Sequence, residues 1–152
     1  MKKLFVKRTV QIHAPARRVW EILTDPKWTT EWAHEFSGGG PRFHIESEWK
    51  LGSKVEWKGE DGVALVEGNV TALTPEKFLR FTVFDTRTER PKVNEEDGIT
   101  YELVEKGGTT TLQITQGDFS SIPEGEKYHQ MTGDIWERVL PRVKKLAEEE
   151  KV

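Results

Sequence analysis

The chain has 152 residues, of which 35% are hydrophobic and 32% charged, with a net charge of -3. That length fits one domain around one core, and the mildly acidic balance, with no strongly basic patch, argues against nucleic acid as the main partner. There are no cysteines, so disulfides, thiolate chemistry and cysteine-type zinc sites are excluded.

Two lysines, Lys2 and Lys3, precede the first apolar residues, but Lys7, Arg8 and Gln11 interrupt any signal-peptide core. No apolar run approaches the roughly 18 residues that span a bilayer. A cytoplasmic protein without a membrane span is the expectation. Leu4, Val6, Val10 and Ile12 share one parity and predict a strand with one buried face. Arg8 breaks the set, as a bulge or a snorkelling side chain would.

Ala14-Pro15 ends that strand, and Pro15 suits a first helical turn. Val19, Trp20, Ile22 and Leu23 give a helical stripe. Asp25-Pro26 stops it and starts another helix, with Asp25 as N-cap. Trp28, Trp32 and Phe36 then follow at i, i+4 and i+8, along one helical face. Ser37 to Pro41, with three glycines, is a flexible break too short for an interdomain linker.

Strand signals recur next. Phe43, Ile45, Ser47 and Trp49 share parity, and Gly52 turns the chain into a strand with Val55 and Trp57. Gly59 to Gly62 reads as a hairpin turn. Ala64, Val66, Val70 and Ala72 face one way in the following strand. After Pro75 to Lys77, Leu79, Phe81 and Val83 alternate. Residues 85–97 are charged and read as an exposed loop. Ile99, Tyr101 and Leu103 alternate, Gly107-Gly108 turns, and Thr109 to Thr115 is rich in β-branched residues with Leu112 and Ile114 inward.

From about Pro123 to Glu149 the period becomes helical. Tyr128, Met131, Ile135, Val139, Val143 and Leu146 advance in steps of three and four, and Trp136 and Leu140 widen the stripe. Pro141 inside it predicts a kink or a second segment. The order is strand, two short helices, about six strands, long helix. Short turns between strands predict an antiparallel meander, and twisted sheets of this size curl. The long helix has to bury its apolar face on the concave side. The whole of 1–152 therefore reads as one α+β domain.

Four segments carry a resemblance: IHAPARRVWEILTDPKWTTEW at 12–32, VEGNVTALTPEKFLRFTVFD at 66–85, ITYELVEKGGTTTLQITQGDF at 99–119 and GDIWERVLPRVKKLAE at 133–148. In this order and spacing the chain resembles the START-like (SRPBCC) helix-grip superfamily, in the branch related to the C-terminal domain of the heat-shock ATPase activator. The resemblance implies a helix-grip fold, a curved antiparallel sheet of about seven strands around a long C-terminal helix, with two short helices after the first strand. It implies function only loosely, because the superfamily holds carriers, cyclases, hydrolases and co-chaperone domains.

The candidate site is the inner face of this container. Trp28, Trp32 and Phe36 are expected either to pack on the sheet rim or to gate a cavity mouth, where the resemblance places this segment. Trp49, Trp57, Phe81 and Tyr101 are expected to point into the concave face, with Met131 and Ile135 facing them from the long helix. These nine residues are the expected lining for a small apolar or aromatic ligand. Bulky rings compete with a cavity for the same space, so a small, partly filled pocket is expected rather than a large one.

The four histidines, His13, His34, His44 and His129, match no metal spacing, and no cofactor or catalytic residue is assigned. His129 with Asp134 is the best acid–base pair available, but five residues apart they share a helical face poorly. Three functions stay open: a ligand-binding module, a cavity enzyme such as a cyclase or dehydratase using His34, His129 or Asp134, and a chaperone-interacting domain. The chaperone activators use an additional N-terminal domain that this sequence does not include. An edge strand or exposed aromatics give a route to a homodimer.

Overall fold

The computed structural model describes residues 3–37, 42–85, 97–120 and 122–149. The chain order is β1 (Val6–Ile12), α1 (Ala16–Thr24), α2 (Pro26–Thr29), a 3-10 turn (Ala33–Ser37), β2 (Phe43–Ser47), β3 (Lys54–Gly59), β4 (Ala64–Thr74), β5 (Phe78–Phe81), β6 (Phe84–Asp85), β7 (Gly98–Lys106), β8 (Thr109–Gly117) and α3 (Gly125–Glu148). The strands run β1-β8-β7-β5-β4-β3-β2 across the sheet, with the two-residue β6 beside β4. All of these pairings are antiparallel. The sheet curls into a half-barrel around α3, as the α+β helix-grip expectation requires. No helix among the described residues is long and apolar enough to cross a membrane.

Strand parity places the core. Val6 and Ile12, Ile45, Val55 and Trp57, Leu79 and Phe81, Ile99, Tyr101 and Leu103, and Leu112 and Ile114 are all buried on the concave side. Two register shifts interrupt the alternation, one at Trp57/Lys58 and one between Val70 and Ala72. The second changes which residues of β4 turn inward. Val70 is buried, and beyond the shift it is Leu73 that packs against the core, although Ala72 has the expected parity. Gly68 marks another constraint on β4. A β-carbon there would sit 1.8 Å from the carbonyl oxygen of Thr82, so the two backbones approach as only glycine allows.

The front segment is tied down at both ends. Pro15 takes the N-cap position of α1 rather than its first turn and has no capping side chain. The Ala16 amide instead donates to Glu105 Oε1 at 2.8 Å, from the far end of β7. Asp25 caps α2 as expected, accepting from the Lys27 amide at 2.9 Å. Thr29 is fully buried, and its Oγ1 accepts from the Ile45 amide at 2.8 Å. That bond docks α2 against β2.

Two expectations about helices need correction. Trp28, Trp32 and Phe36 do not share one helical face, because α2 is a single turn and the chain re-forms as a 3-10 turn after a break. The stripe of α3 is also displaced. Tyr128 and Met131 are 41% and 46% exposed, while Gly133, Trp136, Val139, Leu140, Val143 and Ala147 are buried. At about 100° per residue, Met131 lies roughly 140° around the helix from Trp136, whereas His129 lies within about 20° of it. The inward row is therefore His129, Gly133, Trp136, Leu140, Val143 and Ala147. The helix is continuous through Pro141. The expected loop 85–97 begins with Asp85 in β6; its residues 86–96, like the glycine break 38–40, lie outside the described residues.

Candidate functional site

Eight aromatic rings line the space between α3, the front segment and the concave sheet. Phe43 meets Trp57 with centroids 6.5 Å apart, and Trp57 meets Phe36 at 5.3 Å, edge to face. Phe36 meets Trp136 at 5.1 Å. Trp136 then contacts both Trp32 and Tyr101 at 6.2 Å. Tyr101 meets Phe81 at 5.8 Å, and Phe81 meets Trp49 at 5.8 Å. Most of these contacts are T-shaped, the arrangement the ring quadrupoles favour. The path crosses from β2 and β3, through the front segment and α3, to β7 and β5.

The polar atoms of this interior divide into two groups. Three indoles are satisfied. Trp32 Nε1 donates to the Ile22 carbonyl at 2.9 Å, Trp49 Nε1 to the Thr24 carbonyl at 3.0 Å, and Trp136 Nε1 to Gln116 Oε1 at 2.8 Å. Two donors are not. Trp57 Nε1 and Tyr101 Oη are buried and have no hydrogen-bond partner among the described residues. Burial pushes the Tyr101 phenol well above its ordinary value, so the group is a neutral O–H donor. A buried ring removes about 150–250 Å² from water, which at ~25 cal/mol per Å² is about 4–6 kcal/mol. An unpaired buried donor costs about 1–3 kcal/mol. The rings therefore stay inside despite their unpaired donors.

Of the nine sequence-expected lining residues, six meet in this network: Trp32, Phe36, Trp49, Trp57, Phe81 and Tyr101. Trp49 arrives there from outside any strand. β2 stops at Ser47, and Trp49 takes φ 52° in the following turn, which swings its indole onto Phe81. Ile135 is half-buried against the core. Trp28 lies apart, half-buried beneath the Arg18 guanidinium at 4.7 Å and the Lys27 ammonium at 5.1 Å. Met131 is turned to solvent. Trp136 and Phe43 join the rings unexpectedly. Trp136 carried a signal, since it widened the helical stripe.

Sequence reading also missed a clasp on the outside. Arg142 Nε donates to the Glu31 carbonyl at 2.7 Å, and its Nη2 stands 3.8 Å from the Glu31 carboxylate. One turn earlier on α3, Arg138 Nε pairs with Glu35 Oε1 at 3.3 Å. Arg42 adds a 3.2 Å contact to Glu31. The two α3 arginines hold the segment bearing Trp32 and Phe36 against α3.

The other chemistry-bearing groups are dispersed. His129 Nε2 lies 2.9 Å from the Phe5 carbonyl and its ring packs on Phe119, while Asp134 is exposed and accepts from Gln130. The His129–Asp134 pair, which the five-residue spacing disfavours, is not formed. His34 is half-buried, 3.9 Å from the Glu35 carboxylate. Among the described residues no three histidine, aspartate or glutamate side chains could hold a metal. Open grooves of about 300, 470 and 370 Å³ lie on the exterior, each edged by charged side chains such as Lys7, Glu56 and Arg17.

Comparison with known proteins agrees with this fold. ChR145 of Cytophaga hutchinsonii is 26% identical, with a TM-score of 0.69 and 97% of both chains covered. MLL2253 of Mesorhizobium loti is 19% identical, with a TM-score of 0.72 over 97% of this chain and 99% of that one. The Aha1 dimer of Colwellia psychrerythraea is 16% identical, with a TM-score of 0.71 over 98% and 99%. No curated protein matches significantly in sequence. The family model described as activator of Hsp90 ATPase homolog 1-like protein matches residues 13–148. The chain belongs to that family, within the START-like (SRPBCC) helix-grip superfamily.

Proposed function

We propose that the chain binds a small, largely apolar or aromatic molecule in the interior between α3 and the sheet. The observation that supports this most is that two donors among the rings, Trp57 Nε1 and Tyr101 Oη, have no partner among the described residues. A core serving stability alone has no use for them, since a phenylalanine in place of Tyr101 avoids the desolvation cost. Trp32, Phe36, Trp49, Trp57, Phe81 and Tyr101 would contact the guest, with Ile135 at the border. The guest gains from apolar burial at ~25 cal/mol per Å². It has to displace or reorient rings that touch one another, so a small guest is favoured. Native mass spectrometry of protein taken from cell extract should retain a small molecule, and tryptophan fluorescence should change saturably in a screen of aromatic and acyl compounds. No retained molecule together with no saturable change overturns the reading.

The family description favours a second reading, a domain that contacts the Hsp90 chaperone. Pull-down with the chaperone tests it. No binding at tens of micromolar dismisses it.

A further inference from the structure

We propose that Trp57 and Tyr101 select a neutral guest carrying hydrogen-bond acceptor oxygens, such as a ring-bearing ketone or ether, over both a plain hydrocarbon and an anion. The inference rests on the interior binding reading above and gives its guest a chemistry.

Three observations carry it. First, both unpartnered atoms can donate: an indole N–H only donates, and a phenol O–H donates as well as accepts. An acceptor on the guest is the group that complements both. Second, the two donors stand on β3 and β7, with β4 and β5 between them. Along the ring path they flank the Phe36–Trp136 contact, Trp57 touching Phe36 and Tyr101 touching Trp136. The two rings that bear the unpartnered donors therefore lie on either side of the Phe36–Trp136 contact.

Third, the ring network contains no charged side chain. Three cations on β1 and α3 are engaged elsewhere. Arg8 is paired with Glu137 at 2.9 Å, and Arg138 and Arg142 are engaged with Glu35 and Glu31 on the outer surface. An anion entering would lose its hydration with no cation to replace it. A neutral carbonyl or ether oxygen loses far less and recovers a hydrogen bond.

The test compares three small probes of similar shape: ethylbenzene, acetophenone and benzoate. Binding is read by two-dimensional NMR, following the indole N–H resonance of Trp57, assigned through Trp57→Phe. Acetophenone is expected to bind more tightly than ethylbenzene by roughly two- to tenfold, the worth of one net hydrogen bond, and benzoate more weakly than either. Tyr101→Phe, which keeps the ring, should narrow the ketone preference, read within the variant as the ratio of acetophenone to ethylbenzene affinity. Tyr101→Phe should at the same time raise the stability of the unliganded protein, which a tyrosine hydroxyl bonded within the core would not do. Equal affinity for ethylbenzene and acetophenone leaves the interior site standing and overturns the acceptor selection. Acetophenone binding that leaves the Trp57 resonance unmoved, or a ketone preference unchanged in Tyr101→Phe, also overturns it. Binding of none of the three overturns the interior site itself and the inference with it.

Discussion

The guanidinium of Arg8 occupies the space that a side chain on Gly133 would need. A β-carbon built on Gly133 would lie 2.7 Å from Arg8 Nη2, and the same guanidinium is 2.9 Å from the Glu137 carboxylate one turn along α3. An arginine at an inward position of β1 is thus accommodated by a notch in the helix above it. Gly133→Ala has two opposing consequences. It gains about 0.8–1.0 kcal/mol of helix propensity, and it pushes aside a flexible guanidinium whose partly exposed ion pair is worth about 0.2–1 kcal/mol. The expected net change lies between a loss of about 0.2 and a gain of about 0.8 kcal/mol. In an Arg8→Leu background the second term is gone, and Gly133→Ala should stabilise by about 1 kcal/mol in urea unfolding. An equal effect in both backgrounds would show that the two residues are uncoupled.

Tyr101→Phe should make the unliganded protein more stable. The hydroxyl is buried and has no partner among the described residues, so the native state carries its desolvation without return. Removing it keeps the ring contacts with Phe81 and Trp136 at 5.8 and 6.2 Å. The expected gain is about 1 kcal/mol, read as a shift in urea midpoint at unchanged slope. A loss of stability would mean that the hydroxyl has a partner in solution, such as a buried water.

The sheet was legible in the sequence because alternation is a two-residue signal that short turns punctuate clearly. Where it was not legible, the cause was an interaction between distant residues. Nothing local to β4 announces the register shift that turns Leu73 rather than Ala72 to the core. Met131 looked like a core residue and is exposed because the phase of α3 is set by Gly133 meeting Arg8 and by His129 packing on Phe119, and neither glycine nor histidine registers as apolar. Trp28 and Trp32 looked equivalent. One is buried with its indole bonded to Ile22, and the other lies under two cations, because a break between them rotates the chain. The unpaired donors of the site could not be read from sequence at all, since partners are a property of the fold.

Acid stability should carry the signature of Glu148. Its carboxylate is held below the ordinary value by the His13 amide at 2.8 Å and then by the Lys144 ammonium at 2.6 Å. A depressed carboxyl contributes stability that is fully present above its unfolded value and is lost as pH falls through its folded value. The contribution therefore stands at neutral pH and fades below 4.5. Glu148→Gln should lower stability at neutral pH and flatten the decline below that value, because the glutamine cannot titrate. Parallel pH–stability curves for the two proteins would show that the bond to His13 contributes nothing through charge.

Loosening the clasp should release the front segment before the sheet. Arg142 reaches the Glu31 carbonyl at 2.7 Å and Arg138 the Glu35 carboxylate at 3.3 Å, both from exposed positions on α3. Exposed pairs are worth about 0.2–1 kcal/mol each, and the charge-assisted bond to a backbone carbonyl somewhat more. Arg138→Ala with Arg142→Ala should thus cost about 1–2 kcal/mol. Most of that cost should fall on local opening, because Trp32 and Phe36 are otherwise held only by short-range ties: the Thr29 bond to β2, the Trp32 bond to Ile22, the Arg42–Glu31 contact and ring packing. Native-state hydrogen exchange should quicken across residues 29–36, including the Trp32 indole that donates to Ile22, while the amides of β7 and β8 keep their protection. Uniform acceleration through the sheet as well would mean that the clasp supports global stability and gates nothing.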